Sequence, residues 1–145
     1  ISFSRSFCST SKLTRSALNR WSNCSFLTNW ASVDDSIYWD VEVLNTGSYS
    51  ATVYYACPKE SIGTIISLNS ELSSTSKMIE AENDPPLLGE EYDLVPRAES
   101  YVKDFRAFSL GNIDLKEGFH SLSLNLENVQ STEGVEFRIL VLERQ

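Results

Sequence analysis

Residues 37–58, IYWDVEVLNTGSYSATVYYACP, constrain the fold more than any other stretch of this chain. Ile37, Trp39, Val41 and Val43 alternate with Tyr38, Asp40 and Glu42, the period of two that marks a half-buried β-strand. Asn45-Thr46-Gly47-Ser48 then turns the chain, and Ala51 to Ala56 adds a second β-branched and aromatic run. The pattern reads as a hairpin of a Trp-bearing strand and a Tyr-rich strand.

Strand signals continue beyond it. Ile62–Leu68 is β-branched, and Ser73–Ile79 is placed to pair with it across Asn69-Ser70. Residues 80–101 contain Pro85, Pro86, Gly89 and Pro96, which exclude a central strand or a helix interior. Extended structure restarts at Asp104–Leu110 and Ile113–Leu115, separated by Gly111-Asn112. Leu122, Leu124 and Leu126 alternate with Ser123 and Asn125, and Val135, Phe137, Ile139 and Val141 alternate with Glu136, Arg138 and Leu140. No long segment has helical period. About eight or nine strands at this spacing predict an all-β, two-sheet antiparallel sandwich of jelly-roll type. Its core is expected to include Trp39, Val41, Val43, Val53, Tyr55, Ile66, Leu122, Leu124, Phe137, Ile139 and Val141.

A chain of 145 residues, 41% hydrophobic, suffices for one domain with a real core. It opens at Ile1 rather than Met, so the expectation is a processed product or an excised fragment. Residues 1–33 carry Arg5, Lys12, Arg15 and Arg20 and no acid, whereas the rest holds 8 basic and 20 acidic residues, a charge of −12. An acidic body repels phosphates and anionic lipid, which argues against nucleic-acid and membrane partners. The basic, Ser-rich residues 1–22 read as an ordered arm with strand character, leaving 23–145 as the sandwich domain. Cys8, Cys24 and Cys57 are too few for a disulfide scaffold and lack a C-x-x-C pair for zinc; one bridge and one free thiol leave three pairings open. Asn23-Cys24-Ser25 is a glycosylation sequon at Asn23, and an extracellular or periplasmic address is expected.

Catalytic signals are thin. His120 is the only histidine and sits in a strand pattern, without a placed Ser and Asp to form a triad. Two S-x-x-K matches, Ser9 to Lys12 and Ser74 to Lys77, lack companion motifs. The reading is a non-catalytic module requiring no cofactor.

Residues 80–103, EAENDPPLLGEEYDLVPRAESYVK, are the most unusual element, because long structured loops on a compact domain tend to carry function. Asp84, Glu90, Glu91 and Asp93 offer hard oxygen ligands of the kind Ca²⁺ takes. Tyr92, Arg97, Tyr101 and Lys103 mix aromatic rings with cations suited to stacking on a sugar and gripping a hydroxyl or sulfate. Trp30 adds a further candidate stacking ring, and Asp34 and Asp35 are candidates to orient its loop or accept sugar hydroxyls. The plain alternative is a flap that seals one end of the sandwich.

The stretch SFLTNWASVDDSIYWDVEVLNTGSYSATVYYACP, followed by NDPPLLGEEYDLVPRAESYVKDFRAFSLGNIDL, resembles the C-terminal β-sandwich of bacterial arylsulfatase-type sulfatases. More distantly it is similar to galactose-binding-like and carbohydrate-binding-module sandwiches. The sulfatase formylglycine motif, Cys or Ser-x-Pro-x-Arg, is absent, since Pro58 follows Cys57 directly. Asn83 stands where His often precedes Asp-Pro-Pro, and Leu94 where Arg is common after Asp93. The resemblance implies an accessory module that binds polysaccharide or another glycan, favouring acidic or sulfated chains through Arg97 and Lys103. Two other readings compete: a structural subunit that assembles with copies of itself by strand addition of its arm, and a domain that packs on a catalytic sulfatase partner.

Overall fold

The computed structural model describes residues 26–88 and 103–145, together with the backbone of two strands at 2–9 and 14–16. Among these residues ten strands occur: β1 (Ser2–Ser9), β2 (Thr14–Ser16), β3 (Phe26–Trp30), β4 (Ser36–Val43), β5 (Gly47–Ala56), β6 (Ile65–Asn69), β7 (Ser74–Met78), β8 (Arg106–Leu115), β9 (Gly118–Glu127) and β10 (Val135–Arg144). They form two five-stranded sheets, ordered β1-β4-β9-β6-β7 and β2-β3-β10-β5-β8, with every pairing antiparallel. This is the all-β sandwich that the alternating patterns predict.

The alternation does what a half-buried pleat requires. Trp39, Val41 and Val43 of β4 and Leu122, Leu124 and Leu126 of β9 line the inner face of the first sheet. Ala51, Val53 and Tyr55 of β5 face them from the second sheet and share one core cluster with them. Each large side chain fully withdrawn from water contributes about 1.5–3 kcal/mol. Phe137 of β10 joins the layers, lying 6.2 Å from Trp30 and 5.9 Å from Trp39 between ring centroids.

Three expectations are corrected. The strands at 37–43 and 51–56 are not a hairpin: β4 pairs with β1 and β9, whereas β5 pairs with β10 and β8 in the other sheet. A hairpin would put both apolar faces on one side of one sheet. The short 44–46 connection instead arches across the roughly 10 Å between sheets, so the two faces meet. The Tyr49 hydroxyl donates to the Asn45 carbonyl at 2.6 Å and pins that arch. Ser74–Met78, by contrast, pairs with β6 across the turn at Ser70 as expected.

Second, Gly111-Asn112 does not break the chain. The strand runs through as β8, with a bulge that slips the register between Ala51 and Thr52, and Gly111 absorbs it at φ 108°. Third, a bulge between Phe137 and Ile139 shifts the alternation of β10. Leu140 therefore turns inward, Ile139 is 48% exposed and Val141 only half-buried. The other nine expected core residues are buried.

Within the span expected to be an arm, β1 pairs with β4 and β2 with β3 of the same chain, so these strands fold back as sheet edges. Cys57 is a buried free thiol, and Asn23 and Cys24 lie outside the described residues. Gly134 has φ 78°, and a Cβ there would come within 3.0 Å of the Trp30 carbonyl oxygen.

Trp39→Ala is expected to lower unfolding free energy by about 3–5 kcal/mol in chemical denaturation, because it empties the interlayer contact with Phe137. Gly134→Ala is expected to cost about 1–3 kcal/mol through its strained φ, plus the clash with Trp30 backbone. A loss below about 1 kcal/mol for Trp39→Ala would show that this ring does not hold the layers together.

Candidate ligand-binding face

The outer face of the second sheet is built by the residues that the core leaves over. With Val53 and Tyr55 inward, Tyr54 and Ala56 point outward, and Glu136 and Arg138 do the same on β10. On β3, Asn29 adopts a left-handed backbone at φ 60° and shifts the alternation. Trp30 is thereby carried into the core while Phe26 joins an outer apolar cluster with Ala56, Phe105 and the partly buried Tyr54. Phe26 and Phe105 meet edge-on at 5.1 Å.

The loop that starts after β7 is tied at its neck. Cys57 and Asn83 exchange backbone hydrogen bonds of 2.7 and 2.9 Å. The Asn83 side-chain amide donates to the carbonyls of Tyr55, at 3.0 Å, and Asp104, at 3.4 Å. Arg106 donates to the Glu82 carbonyl at 3.3 Å. Outgoing and returning chain are thus held to the end of β5.

Two adjoining hollows lie beside this neck. The first, roughly 450 Å³, is lined by Phe26, Thr28, Asp84, Pro85, Pro86, Leu87, Lys103 and Glu136. The second, roughly 560 Å³, is lined by Tyr54, Leu88, Lys103, Asp104, Phe105, Arg138, Ile139 and Val141. Leu87, Leu88 and Ile139, three of the large apolar side chains exposed on the surface, converge here. Lys103 is the shared wall. Its ammonium lies 2.7 Å from Glu136 Oε2 and 3.4 Å from Asp84 Oδ1, with the side chain only 13% exposed. The approach to Oε2 is an ion pair off the angle of a good hydrogen bond, and Oε2 has no hydrogen-bond partner.

The residues singled out in the sequence separate here. Lys103 lines both hollows, and Asp84 lines the first but is committed to Lys103. Trp30 is 0% exposed, so its ring cannot stack on a ligand; its indole N–H donates to the Asp35 carbonyl at 3.2 Å. Asp35 thus orients Trp30 through its backbone; its own side chain is buried with Oδ2 unpartnered. Asp34 is exposed beside the Ser32 hydroxyl. Tyr92, Arg97, Tyr101, Glu90, Glu91 and Asp93 lie outside the described residues. Among the described residues no group of three or more His, Cys, Asp or Glu is placed to hold a metal. Phe26, Tyr54, Phe105, Glu136 and Arg138 were not anticipated, although the outward parity of Tyr54 and Arg138 was legible from the inward expectation for their neighbours.

These features define a two-sheet β-sandwich with a hollowed outer face. No protein-family model matches the chain, and no curated protein matches it. Solved structures do share the fold. A carbohydrate-binding module (CBM6cm-2) from Cellvibrio mixtus lichenase 5A, in complex with cellotriose, superposes with a TM-score of 0.61 at 11% identity, covering 99% of this chain and 92% of that one. Xyl-CBM35, in complex with a glucuronic acid containing disaccharide, gives 0.59 at 12% identity, covering 97% and 85%. The Podospora anserina GH26-CBM35 β-(1,4)-mannanase gives 0.61 at 10% identity over 97% of this chain, which spans only 26% of that enzyme. The likeness is one of fold, and the sulfatase resemblance finds no support among these structures.

Burial pushes the Cys57 thiol up to about 11, with Asp84 and Glu82 adding to the effect. An unfolded thiol ionises near pH ~8.5, so this group favours the folded state fully below that pH and loses its contribution as pH rises toward 11. Melting temperature is expected to fall between about pH 9 and 11, less so in Cys57→Ala. Alkylation of Cys57 at neutral pH is expected only on unfolding, and rapid labelling of the native protein would contradict its burial.

Proposed function

We propose that this chain is a non-catalytic carbohydrate-binding module that takes a glycan across the two hollows on the outer face of its second sheet. The observation that carries the reading is the site itself: exposed Leu87, Leu88 and Ile139 beside the partly buried Tyr54 ring, bordered by charged groups. Sugars fit that combination, because their C–H faces pack on apolar rings while their hydroxyls take polar partners. The shared fold supports the reading, since two neighbours are carbohydrate-binding modules in complex with sugars. A module of this kind works outside the cytoplasm, where polysaccharide is met, and the expected extracellular or periplasmic placement belongs to the same proposal.

The contact set differs from the one expected. Trp30 leaves it, Lys103 becomes a wall held by two carboxylates, and Tyr54, Arg138 and Ile139 enter, with Phe105 buried behind Arg138. Affinity electrophoresis against neutral and acidic polysaccharides tests the reading. Retention on at least one is expected, weakened about tenfold or more by Ile139→Arg, which fills the second hollow, a change of about 1.4 kcal/mol. Ile139 is half-exposed, so melting temperature is expected to stay nearly unchanged. Absence of retention by every polysaccharide would overturn the reading.

A further inference from the structure

We propose that Arg138 is the anion-recognising group of this face and that the glycan it takes carries a carboxylate, as a uronic acid unit does; the inference rests on the glycan reading above. Charge bookkeeping across the two hollows leads there. They contain three carboxylates, on Asp84, Glu136 and Asp104, and two cations, on Lys103 and Arg138. Lys103 is spent on Glu136 and Asp84, and its burial leaves little of it for a ligand. Arg138 is exposed and makes no ion pair with any carboxylate among the described residues. Its guanidinium lies over the Phe105 ring, with Cζ 5.7 Å from the ring centroid.

That placement has a chemical consequence. The guanidinium lies beside the Phe105 ring and has no carboxylate partner among the described residues, so its N–H groups are free to meet a carboxylate through two parallel hydrogen bonds. The floor of Tyr54, Ile139 and Val141 lowers the local polarity, which strengthens a charge-assisted bond relative to open water. Asp104 lines the same hollow and is an acceptor only, so it suits the hydroxyls that a uronic acid carries beside its carboxylate. The net charge of −8 opposes anions at long range. At physiological salt such fields fade over about 8 Å, so the cation inside the hollow decides.

The site therefore divides at Lys103. In the first hollow one ammonium serves two carboxylates, leaving an excess negative charge that disfavours an anion. The second has a guanidinium that makes no ion pair among the described residues. A neutral unit fits the first and an acidic unit the second.

Isothermal titration with glucuronoxylan and polygalacturonate, each beside its carboxyl-reduced form, tests the proposal. The wild-type protein is expected to bind the acid forms at least tenfold tighter than the reduced forms. Arg138→Gln should bring the two forms to equal affinity, and Arg138→Lys should keep only part of the difference, since an ammonium is a point charge rather than a fork. Equal wild-type binding of acid and reduced forms, or an Arg138→Gln loss that is the same for both, overturns the proposal while leaving the glycan reading standing. Failure to bind either form overturns both. Unchanged melting temperatures of the two variants verify that the exposed arginine is not needed for folding.

Discussion

Phe137 sits between Trp30, from its own sheet, and Trp39, from the opposite one, and the rest of the molecule is arranged around that contact. Two pleated sheets can slide over one another unless large rings interlock across the gap between them. Here the interlock depends on two local backbone devices. Left-handed Asn29 rotates Trp30 inward, and Gly134 gives way so that β10 can approach the Trp30 backbone.

The same strand links the core to the outer face. Immediately after Phe137, the bulge in β10 adds a residue, so Arg138 and Ile139 both escape the core. Without it, strict alternation would send Ile139 inward and leave only one of the two beside Tyr54. The neck formed by Cys57, Asn83 and Asp104 then closes one side of the face, and Lys103 braces it from within. An irregularity that looks like a defect in a ladder thus supplies the floor of a hollow.

Fold class and most strand positions were legible in the sequence because they follow from periodicity alone: β4, β9 and the first half of β10 alternate without interruption. What was not legible depends on contacts far apart in the chain. The 44–46 connection has the composition of a hairpin turn, and only the presence of β9 and β10 as better partners makes it an arch. The slip in β10 leaves no mark in residue types, so Ile139 and Val141 were expected inward. Trp30 was misjudged for a related reason, since a single left-handed Asn reverses the face of its neighbour. Lys103 was legible as a loop cation, whereas its commitment to Glu136, 33 positions on, is purely tertiary.

Strand order also carries a consequence for synthesis. The last strand in the chain, β10, lies in the middle of its sheet, flanked by β3 and β5. As the chain leaves the ribosome, β3 and β5 therefore emerge well before the strand that joins them, with Trp30 and Val53 lacking their final cover. Among the described pairs only β2–β3 and β6–β7 join consecutive strands. A nascent sandwich of this topology is an unpaired template for intermolecular strand addition until the segment near Arg144 is out, and it is in that interval that a chaperone would matter most.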